Sequence, residues 1–126
     1  MNVIATYAGL AAFAWLAVFQ AMLAAGLPLG RMAWGGAQRV LPGRLRLASG
    51  ASALLALVAL WAVAQNGGFV ATILPGAVLP PLFWGLSVVF GLSLLVNLVA
   101  ARGLERLHGV PLALLCSGSC LVLALG

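Results

Sequence analysis

The stretch VIATYAGLAAFAWLAVFQAMLAAGL, residues 3–27, contains no charged side chain and only Thr6, Tyr7 and Gln20 as polar interruptions. A helix needs about 20 predominantly apolar residues to cross a bilayer's hydrocarbon core, so this run is long enough. Three further runs follow: 45–64, closed by Gln65, Asn66, Gly67 and Gly68; 81–101, opened by proline; and 110–125, the shortest. A membrane β-barrel would show alternating segments of about ten residues. These runs are continuous and rich in Leu and Ala. The expected fold is therefore all-α, a single domain made of a bundle of four transmembrane helices. Pro28 and Gly30 are expected to break the first helix, and the short fourth one to require thinning of the bilayer or a buried position.

Composition agrees. Of the 126 residues, 65% are hydrophobic and 6% charged, against roughly 25% charged in soluble domains. Too few polar groups exist to clothe a small water-soluble fold, and the chain is far too apolar for disorder. The first run is also too long for a secretory signal and lacks a basic residue ahead of it, so the N-terminus is expected to be retained.

The charges are unevenly placed. Net charge is +5, and every basic residue is arginine: Arg31, Arg39, Arg44 and Arg46 between the first two runs, Arg102 and Arg106 between the last two. The N-terminus, the connection 65–80 and the C-terminus carry none. With four spans, the two basic connections share a side. The positive-inside rule makes that side cytoplasmic, in a bacterial-type inner membrane, and leaves both termini outside. These six arginines are expected to meet lipid headgroups. No groove interleaved with stacking aromatics accompanies them, which argues against nucleic acid. Trp34, Trp61 and Trp84 read as interfacial anchors. The uncharged connection 65–80, apolar at its centre (69–79), is too short to span and is expected to lie at the interface or fold back over the bundle.

Chemistry-bearing residues are sparse. Glu105 is the only acid and His108 the only histidine; both are expected in a polar loop at 102–109, outside the spans. That set lacks the nucleophile, base and orienting group of a hydrolase and an intramembrane carboxylate for proton coupling. We therefore expect no enzyme, no catalytic residue, no cofactor and no metal site. Cys116 and Cys120 share a helix face. Together with Ala113, Ser117 and Ala124 they form a stripe of small residues that suits close helix packing better than a redox or copper pair. Similar stripes are Ala17, Ala21 and Ala25; Ser52, Ala56 and Ala59; and Ser87 with Gly91. Among polar residues inside the spans, Gln20, Ser93 and Asn97 form the candidate cluster: Gln20 and Asn97 both lie toward the basic end of their helices, where they could meet.

The motif Gly30-Arg31, Trp34-Gly35-Gly36, Val40-Leu41-Pro42, Arg44-Leu45-Arg46 and Ala48-Ser49 resembles a pattern in an uncharacterised group of small bacterial four-helix integral membrane proteins. The resemblance covers the first connection and the start of the second helix. It implies the same fold and brings no activity. Three functional expectations remain. The first is a non-enzymatic membrane protein acting through helix–helix or lipid contacts, for example as an accessory subunit, its partners membrane lipids, a second copy or another membrane protein. The others are a homo-oligomeric channel or transporter for an anion or small neutral solute, and an apolar-ligand or lipid binder using the 65–80 connection as a lid.

Overall fold

A computed structural model describes residues 2–33 and 39–126; the expected anchor Trp34, with Gly35 and Gly36, lies outside the described residues. The described residues form four α-helices: α1 (Val3–Ala24), α2 (Gly43–Asn66), α3 (Leu79–Val99) and α4 (Gly103–Leu125). Short 3-10 turns at Gly30–Met32 and Gly76–Val78 precede α2 and α3. All four helices are long and apolar enough to cross a membrane, as in a multi-pass membrane protein.

Helix ends follow local chemistry. Asn2 caps α1, its Oδ1 accepting from the Ala5 amide at 2.9 Å. The other end of α1 stops at Ala24, short of the expected 27, because Gly26 takes φ +92°. Gly26 N–H donates to Leu23 O and Leu27 N–H to Met22 O, both at 3.1 Å, the paired bonds of a Schellman terminus. Thus Gly26, ahead of Pro28, ends the helix. The end of α2 repeats the device: Gly68 (φ +79°) donates to Gln65 O and Phe69 to Ala64 O. Pro80 and Pro81 stand in the first turn of α3, where amide hydrogens have no helical partner.

The fourth helix departs most from expectation. The segment expected as a polar loop, 102–109, is helical from Gly103 onward, and Pro111 lies inside α4. Leu104, Glu105, Arg106 and Leu107 are all good helix formers. A proline removes only one intrahelical bond, a loss that membrane helices tolerate when their neighbours support them. The chain reverses over 100–102, and Gly103 enters α4 at φ +58°, a conformation glycine adopts readily. At 23 residues α4 is about 34 Å long, so it can span without thinning. Consequently Glu105, Arg106 and His108 are helical residues, not loop residues as expected.

Close approaches define the packing. Gly9 of α1 faces Val63 of α2, and Gly50 of α2 faces Ala24 of α1, so the two helices run antiparallel. Gly9 also faces Ser119, while Gly109 faces Asn97 and Gly91 faces Ser117; α4 is therefore antiparallel to both α1 and α3. The order round the bundle is α2, α1, α4, α3, and α2 and α3 scarcely touch. The main core gathers Phe13, Leu16, Ala56, Ala59, Val63, Phe83, Leu86, Cys116 and Cys120. A second cluster of Phe19, Leu23 and Leu41 lies beneath the first connection.

Small residues do set the helix spacing, on rows partly different from those expected. On α2 the buried row is Ser49, Ala53, Ala56, Ala59 and Val63, so Ser52 lies to one side of it. On α1 Ala17 is buried but Ala21 and Ala25 are exposed; Gly9 and Ala12 take the inward positions instead. On α4 Ala113, Cys116, Ser119 and Cys120 are buried. Both thiols are free.

Candidate functional site

The six arginines gather at one end of the bundle. Arg31, Arg39, Arg44 and Arg46 lie between the end of α1 and the first turn of α2, and Arg102 and Arg106 at the start of α4. The 3-10 turn bearing Arg31 packs against α4, and the Gly30 amide donates to Arg39 O at 2.8 Å, closing the first connection. All six side chains are exposed. Arg46 has a structural task as well: its Nε donates to Ala24 O at 3.0 Å. A guanidinium on the last carbonyls of a helix satisfies an orphan acceptor and complements the dipole. The guanidinium also covers Gly26, where a Cβ would stand 3.2 Å from Arg46 Cζ.

Of the expected polar cluster, two members meet and one does not. Asn97 Nδ2 donates to Ser93 O at 2.8 Å, with Ser93 Oγ at 3.5 Å. The Asn97 side chain presses on the backbone of Gly109. Gln20 does not join them; its Oε1 is buried with no hydrogen-bond partner among the described residues. Shared depth in the membrane proved insufficient, because α1 and α3 stand across the bundle and Asn97 faces α4. One turn-pair further along the same seam, Ser117 Oγ donates to Ser87 O at 2.9 Å and sits over Gly91.

A contact that sequence reading missed joins α1 to α4. Trp15 Nε1 donates to His108 Nε2 at 2.7 Å, and the Phe19 ring lies 4.4 Å from the imidazole, centre to centre. Because indole N–H only donates, Nε2 must be the acceptor, which leaves the ring proton of a neutral His108 on Nδ1. Trp15, mid-helix and 43% exposed, therefore has a polar partner despite its depth. The mid-helix position of Trp15 was a signal that it needed one, but a His108 assigned to a loop could not supply it.

At the opposite end, the uncharged connection folds back over the bundle. Gln65 holds it in place: Oε1 accepts from the Ile73 and Leu74 amides, each at 3.0 Å, and Nε2 donates to Leu74 O at 2.7 Å. One side-chain amide thus satisfies three backbone groups that would otherwise face apolar surroundings. Leu74 then packs on the main core, and Phe69 meets Tyr7 with ring centres 5.9 Å apart. Trp61 lines a shallow apolar groove with Leu57, Val58, Ile73 and Leu74, and its Nε1 is buried without a partner among the described residues. Trp84 is 45% exposed.

No known protein family model matches the chain, and neither a curated protein nor a solved structure is significantly similar to it.

Proposed function

We infer that this chain is a non-enzymatic inner-membrane protein that works through lateral helix contacts and through lipid, as an accessory subunit or a homo-oligomer. The observation that carries this reading is the use made of its polar side chains. Ser117 bonds to α3, Asn97 to its own helix, Trp15 to His108, Arg46 to the end of α1 and Gln65 to the folded connection. Four of these bonds tie one part of the fold to another, and the fifth holds Asn97 to its own helix. The outward faces of α2 and α3 are meanwhile apolar, with Leu54, Leu57, Val88, Leu92, Leu95 and Val96 all exposed. A surface of this kind meets acyl chains or other helices.

In this reading the arginine-bearing end faces the cytoplasm and both termini face outward. The resemblance of the first connection to small bacterial membrane proteins favours the same compartment. A reporter fused after Gly126 should be active only on the outer side; activity confined to the interior would invert the arrangement. Single cysteines placed at Val88 and Leu92 should form cross-links to a second copy or to another membrane protein in native membranes. Consistent failure at both positions, with labelling by lipid probes intact, would remove the accessory or oligomeric role.

A channel or transporter is the second reading, and the buried, unpartnered Gln20 Oε1 favours it. Flux of halides and small neutral solutes into liposomes carrying the protein decides the matter. Rates equal to empty vesicles eliminate transport, and flux lost in Gln20→Leu would establish it.

A further inference from the structure

The outer side of the α3–α4 hairpin holds an open groove of about 360 Å³ at its arginine-bearing end, lined by Leu98, Gly103, Arg106, Leu107, Val110 and Pro111. Its size falls at the lower end of the range for small-molecule sites. Gly103 and Pro111 present little bulk between the larger Leu98, Leu107 and Val110, which leaves the depression. Leu98 is 44% and Leu107 74% exposed, so the groove opens outward from the bundle and not into the core. Its lining residues are apolar except for Arg106. The chain's single acid, Glu105, is not among the lining residues, and Arg102 stands at the N-terminal boundary of the same helix, one turn earlier.

We propose that this groove binds one anionic phospholipid, an acyl chain lying against Leu98, Leu107 and Val110 and the headgroup phosphate paired with Arg106, with Arg102 adding to the attraction. An apolar trough with one exposed arginine in its lining matches a ligand that is long and apolar at one end and anionic at the other. Guanidinium suits phosphate because its planar fork can donate two parallel hydrogen bonds. The +5 net charge further favours an anionic headgroup over a zwitterionic one. The proposal rests on the inference that this end of the bundle lies at the headgroup layer, and it narrows that inference from a basic surface to one site.

The full-length protein, reconstituted in mixed vesicles, is exposed to phosphatidylglycerol bearing a photoactivatable acyl chain, and in parallel to the corresponding phosphatidylcholine. Labelled positions are mapped by mass spectrometry. Phosphatidylglycerol label should concentrate on residues 98–111 and exceed that from phosphatidylcholine. Arg106→Ala should weaken labelling there about fivefold, as expected for one basic residue near an anionic surface. Leu98→Trp, which fills the trough and leaves both arginines, should remove the local label even where Arg106→Ala fails to fold. Label spread evenly along α2 and α3 would overturn the site while leaving a general basic face intact. Equal labelling by the two lipids over the whole chain would overturn both. Competition by free glycerol phosphate as effective as by the lipid would reassign the site to a soluble anion and refute the proposal.

Discussion

Substituting Gly109 by alanine tests the closest approach in the bundle. A Cβ at this position would overlap Asn97 Oδ1 and stand 2.7 Å from its Cγ and 3.1 Å from its Nδ2. Something must move. Either α4 retreats from α3, loosening the seam that Ser117 and Ser87 share, or Asn97 turns away and gives up its 2.8 Å bond to Ser93 O. Overpacking of a tight contact costs typically about 1–3 kcal/mol, and an intramolecular hydrogen bond contributes about 0.5–1.5 kcal/mol. Against this, alanine is a better helix former than glycine by about 1 kcal/mol. The net effect expected for Gly109→Ala is destabilisation by up to about 2 kcal/mol. In an Asn97→Ala background the obstruction is gone and only the propensity gain survives, so the same change should become neutral or stabilising by up to about 1 kcal/mol. The two sites should therefore show a coupling of about 1–3 kcal/mol. Reversible unfolding in mixed micelles, followed by circular dichroism over all four combinations, measures it. Additive effects would refute the claim that Asn97 seats on this glycine.

Three further outcomes are expected. Gly26→Ala forces a Cβ residue into φ +92° beneath the Arg46 guanidinium and should destabilise by about 1–2 kcal/mol; Gly43→Ala, with open space around it, should not, and equal effects would contradict the assignment of Gly26 as the end of α1. Gln65→Leu leaves the Ile73 and Leu74 amides and Leu74 O without their partner, so hydrogen exchange at those two amides should accelerate at least tenfold; unchanged protection would mean the connection is held by Leu74 and Phe69 packing alone. Trp15→Phe keeps the ring beside Phe19 but removes the donor to His108, and should lower stability by about 0.6–2 kcal/mol; if His108→Phe proves additive with it in a double-mutant cycle, the bond contributes nothing.

Much of the architecture is legible in the amino-acid sequence, for a particular reason. Crossing a membrane depends on the length and apolarity of a continuous run, and residues 3–27 display both without reference to any other part of the chain. The clustering of arginines at 31–46 and 102–106 is equally local. Helix ends were less legible: Gly26 ends α1 because it adopts a left-handed conformation, whereas the more conspicuous Pro28 suggested a later stop. The start of α4 was missed because Glu105, Arg106 and His108 looked like loop polarity, and Pro111 like a boundary. The high helix propensity of Leu104, Glu105, Arg106 and Leu107, with support from α1 and α3, outweighed both signals.

Which residues face one another was not readable at all. A helix in water announces its buried side by alternation of apolar and polar residues. In lipid the outer side is as apolar as the inner one, so α2 and α3 carry little phase information, and Ala21 and Ala53 look alike in sequence although only Ala53 is buried. Pairing was decided by shape, through Gly9 against Ser119 and Val63, Gly91 under Ser117, and Gly109 under Asn97. Hence chain composition alone established four membrane-crossing helices with their cations in two clusters. Only the assembled bundle separated Gln20 from Asn97, joined Trp15 to His108 and shaped the groove beside Arg106, because these depend on backbone approach between segments far apart in the chain.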